Sequence, residues 1–133
     1  MKINTTLTVE GLRAKAQRVF EVSAVKIRSL GRSWNPAQGS PVFTVAGQYT
    51  SRGWTEWTQG FQFGAEILQF DATGEAEFLE SGRKHTVDVM APHVSHIGVH
   101  DHGFNNVSTY GNPLRLMKQG RIPANQWKRN VYE

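Results

Sequence analysis

The stretch from Thr8 to Gly31 spaces its apolar residues by threes and fours: Leu12, Ala16, Val19, Phe20, Ile27 and Leu30, with Ser23 in the same row. A period near 3.6 belongs to a helix with one apolar face, whereas a strand would alternate. Thr8 stands where a side-chain oxygen can cap the first turn, and Gly31 stands where such a helix can end.

From Arg32 to Gly53 the helical period stops. Pro36, Gly39, Pro41, Gly47 and Gly53 punctuate a run of Ser, Asn and Gln, which reads as a long ordered loop with one short extended piece at PVFTVA. Loops of this length inside a compact domain are often functional. The period returns at Trp57, Phe61, Gly64, Ala65 and Leu68, predicting a second helix that closes at DATGE, where Gly74 can adopt the left-handed conformation. A third helix is expected from about Glu75 through Phe78, Leu79, Gly82, Thr86 and Met90 to the break at Pro92.

PHVSHIGVHDH reads as a loop, and a fourth helix follows through Phe104, Val107, Ser108, Gly111 and Leu114, with Phe104 and Val107 on its buried face. Pro113 falls inside that period, where proline removes a backbone donor and clashes with the preceding turn at a cost of about 3 kcal/mol. The helix is therefore expected to kink or stop near Asn112. A fifth start at PANQWKRNVYE has Pro123 in its first turn, and the chain ends soon after, which hints at truncation. Helices in nearly every periodic segment predict an all-α fold of antiparallel helix pairs, with residues 1–133 as a single helical domain.

Composition narrows the function classes. No apolar run approaches the roughly 18 residues needed to span a bilayer, and the N-terminus lacks the apolar block of a signal peptide, so no membrane is expected and cytoplasm is the default location. Absence of cysteine excludes disulfides and thiolate metal sites. The net charge of +4 gathers near both ends, including Arg13, Arg18, Lys26, Arg28, Arg115, Lys118, Arg121 and Arg129. Such spacing marks solvated helix faces, and no recognition motif accompanies it, so no nucleic acid is expected.

Two clusters could carry chemistry. RGWTEWTQGFQFG sets Trp54 and Trp57 beside Glu56, Gln59 and Gln62. Indoles next to hydrogen-bonding side chains suit a carbohydrate, whose apolar ring face stacks on the aromatic while its hydroxyls find polar partners. The alternative is that both indoles pack between helices. The second cluster holds His93, His96, His100, Asp101 and His102. Histidine and carboxylate are zinc ligands, but HxxHxxxHDH matches no named metal motif, and His93 and His96 also read as ordinary loop residues. Asp101 precedes a helix start, where backbone N–H groups and the helix dipole favour a charged carboxylate; capping that helix is its other role.

EWTQGFQFGAEILQFDATGEAEFLESGRKH followed by VHDHGF resembles the N-terminal part of the unsaturated glucuronyl and rhamnogalacturonyl hydrolases, glycoside hydrolase families 88 and 105. Those enzymes carry a WTxGFW segment leading into a helix that ends at a TGD-like turn, then an HDxGF segment opening another helix at similar separation. The match covers about residues 54–117.

The resemblance implies an α/α barrel of six helix pairs, of which this chain holds about two. It also implies an oligosaccharide substrate ending in a 4,5-unsaturated uronic acid, no cofactor and no metal. In that chemistry a carboxylic acid protonates C4, water adds at C5, and the resulting hemiketal opens. Trp57 looks like the family's substrate-stacking tryptophan, and His100 and Asp101 look like its active-site pair. Trp54 and Gln59 extend the sugar-binding side, and His102 or His100 is placed to meet the substrate carboxylate.

Gln62 stands where the family has the last Trp of GFW, His102 replaces an aliphatic residue, and the family's other catalytic aspartate lies on a later segment. The competing class is a non-catalytic helical protein that binds carbohydrate or a metal ion, or forms a homo-oligomer through apolar faces left uncovered.

Overall fold

The computed structural model describes residues 5–133, which leaves the first residues of the stretch read for a leader outside it. α1 runs Val9–Ser33, and the Thr8 hydroxyl accepts the Gly11 N–H at 3.0 Å, the cap its position predicts. Gly31 does not end this helix, which continues to Trp34, whose N–H reaches the Leu30 carbonyl. Only Ala24 of α1 is buried, and Leu12, Val19, Val22 and Val25 lie open to solvent.

The all-α expectation needs one correction. The expected loop holds a 3-10 turn, Pro36–Gln38, and two antiparallel strands, β1 (Ser40–Val45) and β2 (Gln48–Arg52). Their tight turn sets Ala46 at φ 50° and Gly47 at φ 76°, the doubly left-handed geometry of a hairpin turn. Ala at the first of these positions hides the signal, since Asn or Asp normally stands there. The strands are largely exposed, so their side chains show no buried alternation either.

α2 (Thr58–Thr73) ends at Gly74, which takes φ 77° and ψ 3° as the DATGE turn predicts. α3 (Ala76–Val89) returns antiparallel against it: Phe63 stacks on His85 at 4.6 Å, and the Glu66 carboxylate accepts from Ser81 Oγ at 3.0 Å. Arg28 of α1 pairs with Glu75 and Glu77 at the start of α3, and this bond holds the Glu77 carboxyl below its usual range. PHVSHIGVHDH is not entirely loop, since Pro92–Ser95 forms a single turn, α4.

α5 (His102–Asn106), a π-helical segment Val107–Gly111 and α6 (Asn112–Lys118) make one uninterrupted rod. Pro113 neither stops nor ends it. The wider π turn ahead of the proline makes room for its ring, and the Ser108 carbonyl accepts Asn112 Nδ2 at 2.9 Å in place of a backbone donor. Phe104 and Val107 are not the buried face, at 54% and 70% exposure; Asn105, Thr109, Pro113, Leu116 and Met117 are buried instead. α7 (Gln126–Tyr132) is capped by Asn125, whose Oδ1 accepts the Lys128 N–H at 2.8 Å, so Pro123 lies outside the helix.

The core gathers Ile67, Leu79, Leu116, Met117, Ile122 and Tyr132, where α2, α3, α6 and α7 meet. Asp71 at the end of α2 accepts Arg115 at 2.7 Å and Arg121 at 2.9 Å, so part of the basic C-terminal cluster serves packing. Among the described residues, no helix is long and apolar enough to cross a membrane.

Two glycines set the spacing of α2 against the rod. A Cβ on Gly60 would lie 2.4 Å from Asn105 Cα, and one on Gly64 would lie 2.7 Å from the Ser108 carbonyl oxygen. Both neighbours are backbone and cannot move aside cheaply. Gly60→Ala is expected to destabilise the protein by roughly 1–3 kcal/mol through overpacking. Gly31→Ala, in an exposed helical position with nothing within 4 Å of the added carbon, should stabilise by about 0.5–1 kcal/mol. Denaturant midpoints of the two variants check this opposition of sign.

Candidate functional site

The contact of Gly60 with Asn105 and of Gly64 with Ser108 advances in the same direction along both helices, so α2 and the rod run parallel. Their N-terminal ends therefore lie side by side. The segment before α2 carries Trp54 and Trp57, and the segment before α5 carries His100 and Asp101, so one end of the molecule collects residues far apart in the chain.

Trp57 and Trp54 are 48% and 44% exposed, so the indoles are not packed away between helices. Trp57 meets Phe61 edge-on at 5.5 Å, and Phe61 meets Phe104 of α5 at 6.3 Å; all three are open to solvent, forming an aromatic strip across the parallel pair. His100 is almost fully exposed, with Nε2 3.5 Å from the partly exposed Asp101 carboxylate. Asp101 makes no side-chain cap, because its backbone is already helical at φ −64° and ψ −12°, whereas a capping side chain needs the extended region. Its carboxyl, only partly exposed, is left beside His100.

Gln59 and His102, expected on the sugar-binding side, are instead 3% and 6% exposed. They belong to a buried polar network behind the surface. His93 Nε2 lies 2.9 Å from Gln59 Oε1, His93 Nδ1 lies 2.9 Å from His102 Nδ1, and His102 Nε2 lies 2.7 Å from His96 Nδ1. Asn105 joins through Nδ2, 3.1 Å from His93 Nδ1, and Asn106 Nδ2 donates to the His93 carbonyl at 2.9 Å. Trp54 covers the network, stacked on His102 and edge-on to His93 and His96.

The two nitrogens of His102 face different histidines, so the ring nitrogens do not converge on one point. Among the described residues, no group of three or more His, Cys, Asp or Glu is arranged to hold a metal ion. Burial, reinforced by His102 and His96 nearby, lowers the His93 pKa to about 4.

Sequence reasoning missed Phe61 and Phe104 as parts of this end of the molecule, and it set Asn105 and Asn106 along the cleft or over the first turn of their helix, where Asn105 is in fact fully buried. The only signal available was their period, which places Phe61 and Phe104 toward a core; the parallel helix contact turns both outward. No family model matches the chain, and comparison with curated proteins and with solved structures returns no significant match.

The His93 shift fixes a pH dependence. The unfolded chain takes up a proton near the ordinary histidine value of 6.5, which the folded His93 refuses down to about 4. Stability from this group is complete above pH 6.5 and is lost as pH falls toward 4. His93→Leu removes the partner of Gln59 Oε1 and of His102 Nδ1, at about 1–3 kcal/mol for each buried group left unpaired. Chemical denaturation should show the variant markedly less stable than wild type at neutral pH, with the gap narrowing across that acid range.

Proposed function

We propose that this chain carries one side of the sugar site of an unsaturated-uronyl-hydrolase-like enzyme, with Asp101 as the proton-transferring carboxyl and His100 as its partner. The observation that carries this reading is the partly exposed, uncapped Asp101 carboxyl with His100 at 3.5 Å, on the end of the molecule that also bears the Trp57–Phe61–Phe104 strip. A sugar ring stacks its apolar face on such aromatics, and the imidazole of His100 is free to meet a uronate carboxylate. Asp101 would then give a proton to C4 of the 4,5 double bond while water adds at C5, and the hemiketal opens to release the aglycone.

The helix arrangement supports the same reading. α2 and the α5–α6 rod run parallel, with α1 and α3 returning antiparallel to α2, as successive helix pairs of an α/α barrel do. The apolar groove formed by Val9, Leu12, Ala16, Phe20, Ala24 and Ala72, about 620 Å³, is an uncovered face of the kind a further helix pair would cover.

Binding without turnover is a second reading, favoured by the exposure of Trp57 and Phe61 together. The full-length protein, incubated with an unsaturated glucuronyl disaccharide, is expected to remove the absorbance of the conjugated double bond. Asp101→Asn should lower kcat by roughly 100-fold or more, the usual worth of a positioned acid–base group. Trp57→Ala should raise KM by about tenfold, the loss of one aromatic platform. Turnover unchanged by Asp101→Asn would sink its catalytic role, and saturable binding with no turnover would favour the second reading.

A further inference from the structure

We infer that the hollow between α1, the hairpin and the far side of α2 is a binding site for a small planar aromatic molecule carrying one hydrogen-bond donor, a phenol in its simplest form. The site shares no residue with the sugar reading above.

α2 turns Gly60 and Gly64 toward the rod, and Gln62 and Glu66 lie about half a turn round the helix from them. That second face meets the C-terminal half of α1 and the hairpin, leaving a hollow of about 340 Å³ lined by Ile27, Leu30, Trp34, Tyr49, Gln62 and His85 among others. Such a volume is at the small end for a ligand site and takes one or two rings.

His85 of α3 supplies the polar anchor. Its Nδ1 is turned to the buried Glu66, 3.1 Å from Oε2, with Ser81 Oγ 3.5 Å away and itself donating to Glu66 Oε1 at 3.0 Å. A carboxylate only accepts, so Nδ1 carries the hydrogen and Nε2 of the neutral ring is an acceptor. Phe63, fully buried, stacks on the imidazole at 4.6 Å and holds its plane. Nε2 has no partner among the described residues and is not one of the buried unpaired atoms, so a molecule in the hollow that His85 lines can reach it. Gln62 Oε1, buried in the same wall, also lacks a donor.

Other polar groups here are engaged or peripheral. Ser33 Oγ donates to the Ser29 carbonyl at 2.9 Å, and Lys26 and Ser29 are exposed at the mouth. The opposite wall is aromatic: Trp34 Nε1 donates to the Gly39 carbonyl at 2.9 Å, which fixes the indole, and Tyr49 of β2 meets it edge-on, centroids 6.3 Å apart and planes 76° from parallel. A flat ring lying against one of these planes turns its edge to the other, and aromatics favour both contacts. Each hydroxyl of a sugar would need a partner of its own, whereas an aromatic ring with a single donor needs only His85 Nε2.

Phenol is the probe, added to the labelled full-length protein and followed by NMR. Saturable shifts at about millimolar concentration are expected at Trp34, Tyr49, Gln62 and His85. Anisole, the same ring with its hydroxyl methylated, should bind about tenfold more weakly, the worth of one hydrogen bond. His85→Phe keeps a ring against Phe63 and should weaken phenol by about the same factor. Tyr49→Ala removes a half-exposed aromatic wall and should weaken both probes roughly fivefold, while leaving KM for the unsaturated disaccharide unchanged. This variant carries the test if His85→Phe does not fold.

Equal affinity for phenol and anisole overturns the proposal, as do phenol shifts confined to the Trp57–Phe61–Phe104 strip or no saturable shifts at all. Shifts in the hollow from a protein that does not turn over the disaccharide would remove the catalytic reading and leave this site standing.

Discussion

Gly60 N–H, in the first turn of α2, has no carbonyl partner within its own helix, as is true of every early helical donor. It finds one in the Oδ1 of Asn105, a fully buried residue in the first turn of a helix that starts far along the chain. This side-chain cap is possible because Gly60 and Gly64 let the backbone of the rod come within a distance that any Cβ would forbid. The remaining geometry at this end of the molecule depends on it: the parallel course of α2 and the rod, the meeting of Phe61 with Phe104, and the orientation of the Asn105 amide beside His93.

Asn105 also ties packing to the polar network. Its Oδ1 serves α2, its Nδ2 serves His93 and the Glu56 carbonyl, and its own carbonyl accepts Thr109 Oγ1 at 2.6 Å. A buried network whose members pair with one another favours one arrangement, since each unpaired member carries a desolvation cost, as Asn106 Oδ1 does here. Close behind it, the π turn lets the rod continue through Pro113, so Leu116 and Met117 reach the core on the same helix whose start bears Asp101.

Much of this order was legible in the sequence where the cause is local. Thr8 caps and Gly74 terminates because a side-chain hydroxyl and a missing Cβ act within a few residues of themselves. Of the hairpin only the first strand was legible, as the extended PVFTVA, because Ala46 occupies a left-handed position and the strands bury almost nothing that would print an alternation. Phe104 and Val107 kept a helical period yet face outward, since period reports a face and not what covers it. The histidines drew attention through their number, but a count of His residues could not separate a ligand set from a hydrogen-bonded chain.

The sequence by itself determined the three long helices, the Thr8 cap, the Gly74 terminus and the order of the two motifs, because these follow from neighbours a turn apart. Only the tertiary structure decided that Gln59 and His102 are buried while His100 is open to solvent and Asp101 partly so, and that Trp57 and Phe104 share one surface. Those outcomes depend on two backbones approaching at Gly60 and Asn105, a contact between residues far apart along the chain that no local pattern encodes.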